Sequence, residues 1–166
     1  MTSRQVEAYY RSEHRGIPVL LEDPGDVDAL IDALLAGGRF DNAAALYSLD
    51  RPLMPTGFPD HELVVGVDGD LEVGALSFMD DGNFFSFDPT RGRGEVSCYV
   101  CRGEVSYYVS GGEREFPERS AIPIALVRQA VKEFLSSGGV RPTCIQWQEQ
   151  GSDAEGSVPS AGPIRR

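Results

Sequence analysis

Three groups of residues in this chain could do chemistry. Cys98 and Cys101 form a C-x-x-C pair, the spacing of half a zinc site or of a redox couple. His61 beside Glu62 offers a titratable pair that could serve as a general base. Asp68, Asp70, Glu72, Asp80 and Asp81 bring carboxylates together between short apolar runs, as a cation site or an acidic contact surface would. Zinc takes four ligands, and beyond the C-x-x-C the chain offers only Cys144, His14 and His61. Residues three apart on a regular strand also point to opposite faces, so the two thiols converge only across a bulge or turn. They read as small apolar residues of a sheet. His61, at the start of an exposed strand, reads as a surface residue. The acidic residues lack the ligand rhythm of an EF-hand, which leaves solvated hairpin ends or a docking surface for a partner. No G-x-x-x-x-G-K-[ST], G-x-S-x-G or H-E-x-x-H is present. The residues therefore predict no catalytic centre, no cofactor and no metal site.

Charge narrows the partners. The 166 residues carry 15 Lys and Arg against 26 Asp and Glu, a formal net charge of −11. Nucleic acid is bound by clustered cations that release counterions, so the balance argues against it as a partner; a basic protein would be attracted and its approach accelerated, although an acidic excess more commonly serves solubility alone and charge by itself does not choose between these. The single Arg-Gly-Arg-Gly run at 91–94 is a turn rather than the long array of an RNA-binding tail. The N-terminal residues have no apolar signal-peptide region, and no run reaches the about 18 apolar residues of a membrane span. With three cysteines, too few for a disulfide framework, the expected location is the cytoplasm, with no membrane partner.

These residues must be positioned by a sheet and two helices. The apolar run 17–23 predicts a first strand. An amphipathic helix follows, capped at Asp23 or at Gly25 with Asp26, carrying Val27, Leu30, Ile31, Leu34 and Leu35, and ending at Gly37-Gly38. Residues 43–50 predict a second strand, and 61–89 three more, joined at Asp68-Gly69 and Asp81-Gly82, because Asp-Gly suits turns that need positive φ. The near-repeat GEVSCYV (94–100) and GEVSYYV (103–109) predicts two adjacent strands. Pro123 suits the first turn of a helix over 123–136 that would pack on the sheet through Val127, Val131, Phe134 and Leu135 and end at Gly138-Gly139. In 144–149 the alternation directs Ile145 and Trp147 inward, with Trp147 either a core anchor beneath that helix or a partner-facing aromatic. The expected architecture is α+β: one domain over 1–149 with a single curved antiparallel sheet of about six or seven strands and two helices packed on it. Residues 150–166, rich in Gly, Ser and Pro, predict a disordered tail.

Residues 115–149, EFPERSAIPIALVRQAVKEFLSSGGVRPTCIQWQE, carry a more specific signal. Pro117, Pro123, Glu133, Phe134, Gly138, Arg141, Pro142 and Trp147 fall in a pattern that resembles the closing signature of the Imm1 family of bacterial immunity proteins. The resemblance implies an α+β antidote, encoded beside a polymorphic toxin that is frequently a nucleic-acid deaminase or nuclease, which binds the toxin domain and blocks it stoichiometrically without turnover. Candidate toxin contacts are Asp68, Asp70, Glu72, Asp80, Asp81, Trp147 and Glu149, with Tyr99, Tyr107, Tyr108 and Phe85 as further aromatic anchors. The competing readings are a small enzyme using His61 or Cys98/Cys101, and a general interaction module unrelated to toxins.

Overall fold

The structure is a computed structural model that describes residues 4–37, 41–90, 105–109, 112–117 and 119–149. In chain order the elements are β1 (Val6–Tyr9), a 3-10 turn (Ser12–Arg15), β2 (Val19–Leu21), α1 (Pro24–Ala36), β3 (Ala43–Ser48), β4 (Glu62–Asp68), β5 (Val73–Met79) and β6 (Asn83–Phe87). They continue with β7 (Val105–Val109), β8 (Gly112–Phe116), β9 (Ile122–Pro123), α2 (Ile124–Ser136) and β10 (Gln146–Glu149). The fold is α+β, with an open antiparallel sheet ordered β10-β6-β5-β4-β3-β1-β2, a short β9 added to β5, and both helices.

Among the described residues the sheet holds seven strands in ladder order, within the six or seven expected, and the short β9 beside β5 as an eighth. The strands not anticipated from the sequence are β1, which has only Val6 and Ala8 as its inward alternation, and β9, whose two residues pair with Val73 and Gly74. The second copy of the near-repeat forms β7, which among the described residues pairs with β8 as a separate two-stranded sheet packed against the main one. The first copy, with the 91–94 run, Cys98, Tyr99 and Cys101, lies outside the described residues, as does the segment 150–166.

Strands β3 to β5 are buried on both faces. On one, Ala44, Leu46, Leu63, Val65, Val67, Leu76 and Phe78 pack with Val27, Leu30, Ile31 and Leu34 of α1 and Val127, Ala130, Val131, Phe134 and Leu135 of α2. On the other, Ala43, Val64 and Ala75 form a smaller cluster with Phe116 of β8, and Phe85 closes on the Phe116 ring edge-on at 5.6 Å. Phe85 is partly buried in this packing.

Local chemistry sets the helix ends. The Asp23 carboxylate accepts from the Asp26 amide at 2.9 Å while Asp26 accepts from the Asp23 amide at 3.3 Å, a reciprocal cap that satisfies amides the first turn leaves unpaired. Pro123 stands just before α2, as its N-cap, rather than inside the first turn. Its partner helix is tied on by Arg128, which donates to Asp28 at 3.0 Å and Asp32 at 2.6 Å, and by Lys132 to Asp28 at 3.0 Å. α2 lies close on β5 because Gly74 has no side chain; a Cβ there would come within 2.9 Å of Val127 Cγ2 and 2.5 Å of the Gly66 carbonyl oxygen.

Where β6 diverges from β5 the ladder is kept whole by a side chain. The buried Ser86 hydroxyl accepts from the Leu76 amide at 3.0 Å and donates to the Ser120 carbonyl at 2.6 Å. An unpaired buried amide would otherwise cost about 1–3 kcal/mol.

Phe134 is fully buried between the sheet and the base of α2, in ring contact with Phe78 at 6.3 Å and His61 at 5.8 Å. Phe134→Ala is expected to lower unfolding free energy by about 3–5 kcal/mol, read from the shift of the denaturant midpoint.

Candidate functional site

The carboxylates that look contiguous in sequence are divided between the two ends of the sheet. Asp68, Asp70 and Glu72 occupy the β4–β5 turn, beside the start of α2, where Ile124 donates its amide to the Glu72 carbonyl at 3.3 Å. Asp80 and Asp81 occupy the β5–β6 turn. The seven residues of β5 separate these turns by roughly 20 Å. The predicted acidic surface is therefore two surfaces, since a hairpin reverses direction and successive turns must alternate ends.

The turns also close differently from expectation. Neither Gly69 nor Gly82 has positive φ; in the first turn that conformation falls on Glu72, with φ 58. Asp68 instead caps its turn by accepting from the amides of Asp70 at 2.9 Å and Leu71 at 3.1 Å, and Asp80 accepts from Gly82 at 3.2 Å. In the first turn the cap is the aspartate of the Asp68-Gly69 pair, and in the second it is Asp80, one residue ahead of the Asp81-Gly82 pair.

At the β5–β6 end lies an open groove of about 810 Å³. Asp80, Asp81 and Gly82 form one wall, the segment Val140–Thr143 another, and Phe84, Trp147 and Glu149 the strand side, with Arg51 at the mouth. Pairing of β10 with β6 brings this about, placing Glu149 opposite Phe84 and Trp147 opposite Ser86. Of the predicted contacts, Asp80, Asp81, Trp147 and Glu149 meet here; Asp68, Asp70 and Glu72 do not.

Trp147 packs on the core and also borders the groove. Half-buried, it packs against the main core and meets Phe78 edge-on at 6.5 Å, while its indole nitrogen donates to the Pro142 carbonyl at 2.7 Å. Its remaining face lines the groove. Arg141 lies over the Phe84 ring at 3.8 Å and reaches Trp147 at 6.0 Å, a cation stacked on aromatic faces.

The groove's supports are fixed by two further networks. Glu133 of α2 accepts from the Thr143 amide at 2.8 Å, the Thr143 hydroxyl at 2.7 Å and the Cys144 amide at 3.1 Å. Partial burial opposes its charge, but these hydrogen bonds outweigh burial and hold the carboxyl below the usual range. Burial, aided by that carboxylate, pushes the Cys144 thiol up to about 11, so it stays protonated and poorly nucleophilic near neutral pH.

The second network centres on His61. It is 4% exposed, buried rather than on the surface as its place at the start of β4 suggested, because the chain enters β4 beneath Phe134. A backbone amide can only donate, and Ser48 donates to His61 Nε2 at 2.9 Å. The ring's proton therefore sits on Nδ1 and is donated to Asp60 at 3.0 Å, a hydrogen bond from a neutral imidazole rather than an ion pair. Asp60 in turn receives Arg51, whose Nε lies 3.0 Å away, and Arg51 also donates to the Gly139 carbonyl at 2.9 Å. Burial opposes the charge of Asp60, but Arg51 and His61 together hold its carboxyl below the usual range. With both ring nitrogens engaged, His61 is built to join the ends of β3, β4 and α2. Neither nitrogen is left to take a proton from a substrate.

One surface feature escaped the sequence reading. Between β3 and β4 the chain makes a turn at Leu53–Pro59, bridged at those two residues and closed by Met54 N–H to the Phe58 carbonyl at 2.7 Å. Phe58 is 66% exposed and Leu53 63% exposed. The signal was legible: apolar residues between Pro52, Pro55 and Pro59 cannot continue a buried ladder, so they are left on the outside.

Among the described residues no group of three or more His, Cys, Asp or Glu side chains could hold a metal ion, and no helix is long and apolar enough to cross a membrane. Fold and groove define an α+β protein with an open groove at one end of its sheet. The family model for immunity protein Imm1 matches residues 15–149, most of the chain, and the chain belongs to that family. Comparison with curated proteins gives no match.

His61 and Gly139 give two expectations. Burial and the Arg51 charge depress the His61 pKa, so below the unfolded value of about 6.5 the unfolded chain binds more protons than the folded one. Stability is complete above that pH and falls as pH drops through it; His61→Gln should flatten the decline between about pH 7 and 5, read from denaturant midpoints across that range. Gly139 has φ +95, and a Cβ there would come within 2.7 Å of Ser48 Cβ and 2.8 Å of Arg51 Cδ. Gly139→Ala should cost about 2 kcal/mol or more in the same measurement.

Proposed function

We propose that this protein binds a cognate polymorphic toxin domain in the cytoplasm and inhibits it stoichiometrically, without turnover. The observation that carries the reading is the match to the immunity protein Imm1 family over residues 15–149. The charge of −11 supports a basic partner, and a toxin that acts on nucleic acid, a deaminase or nuclease, has reason to be basic along the path of its substrate. An acidic inhibitor approaching such a domain gains in association rate, and its carboxylates stand where phosphates would.

A His61-based enzyme is the weaker reading, since both ring nitrogens of His61 are held by Ser48 and Asp60. Its Cys98/Cys101 form rests on residues outside the described ones.

Co-expression with the toxin domain encoded in the adjacent reading frame tests the proposal. Growth should be rescued, and the two proteins should elute together at a fixed ratio. Persistent toxicity with this protein in excess rejects it. The association rate should fall steeply with added salt; a flat dependence rejects the electrostatic part while leaving inhibition standing.

A further inference from the structure

We infer that the toxin contact is made by the groove end of the sheet together with the Leu53–Pro59 turn, and that the acidic turn at the opposite end takes no part. The inference rests on the inhibitor reading above and names the surface and the chemistry it fits: a basic rim around an apolar recess on the toxin domain.

Both ends are acidic, so charge alone does not choose between them. Apolar exposure does. Leu49, Leu53, Met54, Phe58, Met79 and Val140 are all exposed at the groove end, with Val140 56% accessible, whereas the opposite end offers two, Leu71 in its turn and Ile17 ahead of β2 on the far edge of the sheet. Their placement follows from topology, since the β3–β4 connection, the β5–β6 turn and the segment after α2 emerge at one end. Apolar and aromatic anchors surrounded by charge are the composition of a protein interface.

Neither of the two cations that line the groove is paired with its carboxylates. Arg51 is committed to Asp60 and the Gly139 carbonyl, and Arg141 lies on the Phe84 ring. Among the described residues Asp80, Asp81 and Glu149 have no ion-pair partner. A Lys or Arg of the toxin fits there, its stem along Trp147 and Val140 and its head among the carboxylates.

The apolar turn is ordered in advance. Its closing hydrogen bonds, the bridge between Leu53 and Pro59, and Gly57 at φ +91 fix its shape before any partner arrives, which lowers the cost of ordering it on binding. The two parts divide the work: the carboxylates govern approach, and the turn governs how long the complex lasts.

Binding kinetics with the full chain and the toxin domain test this with charge-matched variants. The triple variant D80N/D81N/E149Q removes three charges at the groove end, and D68N/D70N/E72Q removes three at the other. The first should slow association about tenfold or more at low salt, with the difference closing at high salt, and the second should change it by less than about twofold. Phe58→Ser should raise the dissociation rate at least about tenfold with little effect on association, and Leu53→Ser should act in the same direction. Trp147 emission should change on binding, which offers an optical readout.

If D68N/D70N/E72Q slows association as much as the groove variant, or if F58S and L53S leave dissociation unchanged while inhibition is intact, the surface assignment is wrong and the inhibitor reading survives. A dimer of this protein that F58S dissolves without affecting the toxin complex overturns the assignment equally. Failure of the wild-type chain to bind any toxin domain overturns the inhibitor reading, and the assignment with it.

Discussion

Two-sided burial of β3, β4 and β5 is the constraint on which the rest of the molecule depends. With α1 and α2 on one face and Phe116 on the other, those strands have no broad surface left to offer solvent. What remains are strand ends, the turns that join them, and the edge strands. In a meander the turns alternate ends, so any feature drawn from successive turns is split in two, as the acidic residues are. The end that also receives the chain leaving α2 acquires walls, and so becomes a groove rather than a flat rim.

Those walls are stiff for identifiable reasons. Gly139 brings the segment after α2 against Ser48 and Arg51, an approach that any Cβ would block. Glu133 then fastens Thr143 and Cys144, and β10 joins β6 immediately afterwards. On the other side His61, Asp60 and Arg51 hold the ends of β3 and β4 to the Gly139 carbonyl. His61, read from the sequence as a candidate general base, is here a fastener, together with the partly buried carboxylates of Asp60 and Glu133. Their perturbed proton affinities arise from burial and hydrogen bonding in the joints of the fold.

Much of this architecture was legible in the amino-acid order, but only where a period or a turn residue had room to declare itself. α2 was readable because Val127, Val131, Phe134 and Leu135 repeat over three turns, and the β4–β6 hairpins because Asp68-Gly69 and Asp81-Gly82 mark their turns. β9 was unreadable, being two residues long, and β1 was passed over because its inward side holds only Val6 and Ala8. Burial on the far face was hidden because it comes from β8, brought there by tertiary packing that no local pattern encodes. His61 was misjudged for the same reason: its position in the chain is a strand start, while its position in space is under Phe134. Of the residues named from the sequence as contacts, Asp80, Asp81, Trp147 and Glu149 line one groove. Arg51 was missed because its role depends on Asp60 and Gly139, the latter far away in sequence.

The Leu53–Pro59 turn has a further consequence. Its large side chains contribute almost nothing to the core, and its shape is set by backbone hydrogen bonds and prolines. Replacing Leu53, Met54 or Phe58 therefore leaves the folding free energy nearly untouched, whereas replacing Phe134 or Gly139 does not. Selection for a stable fold and selection on what the turn touches act on separate residues, so the two can change at different rates within one lineage.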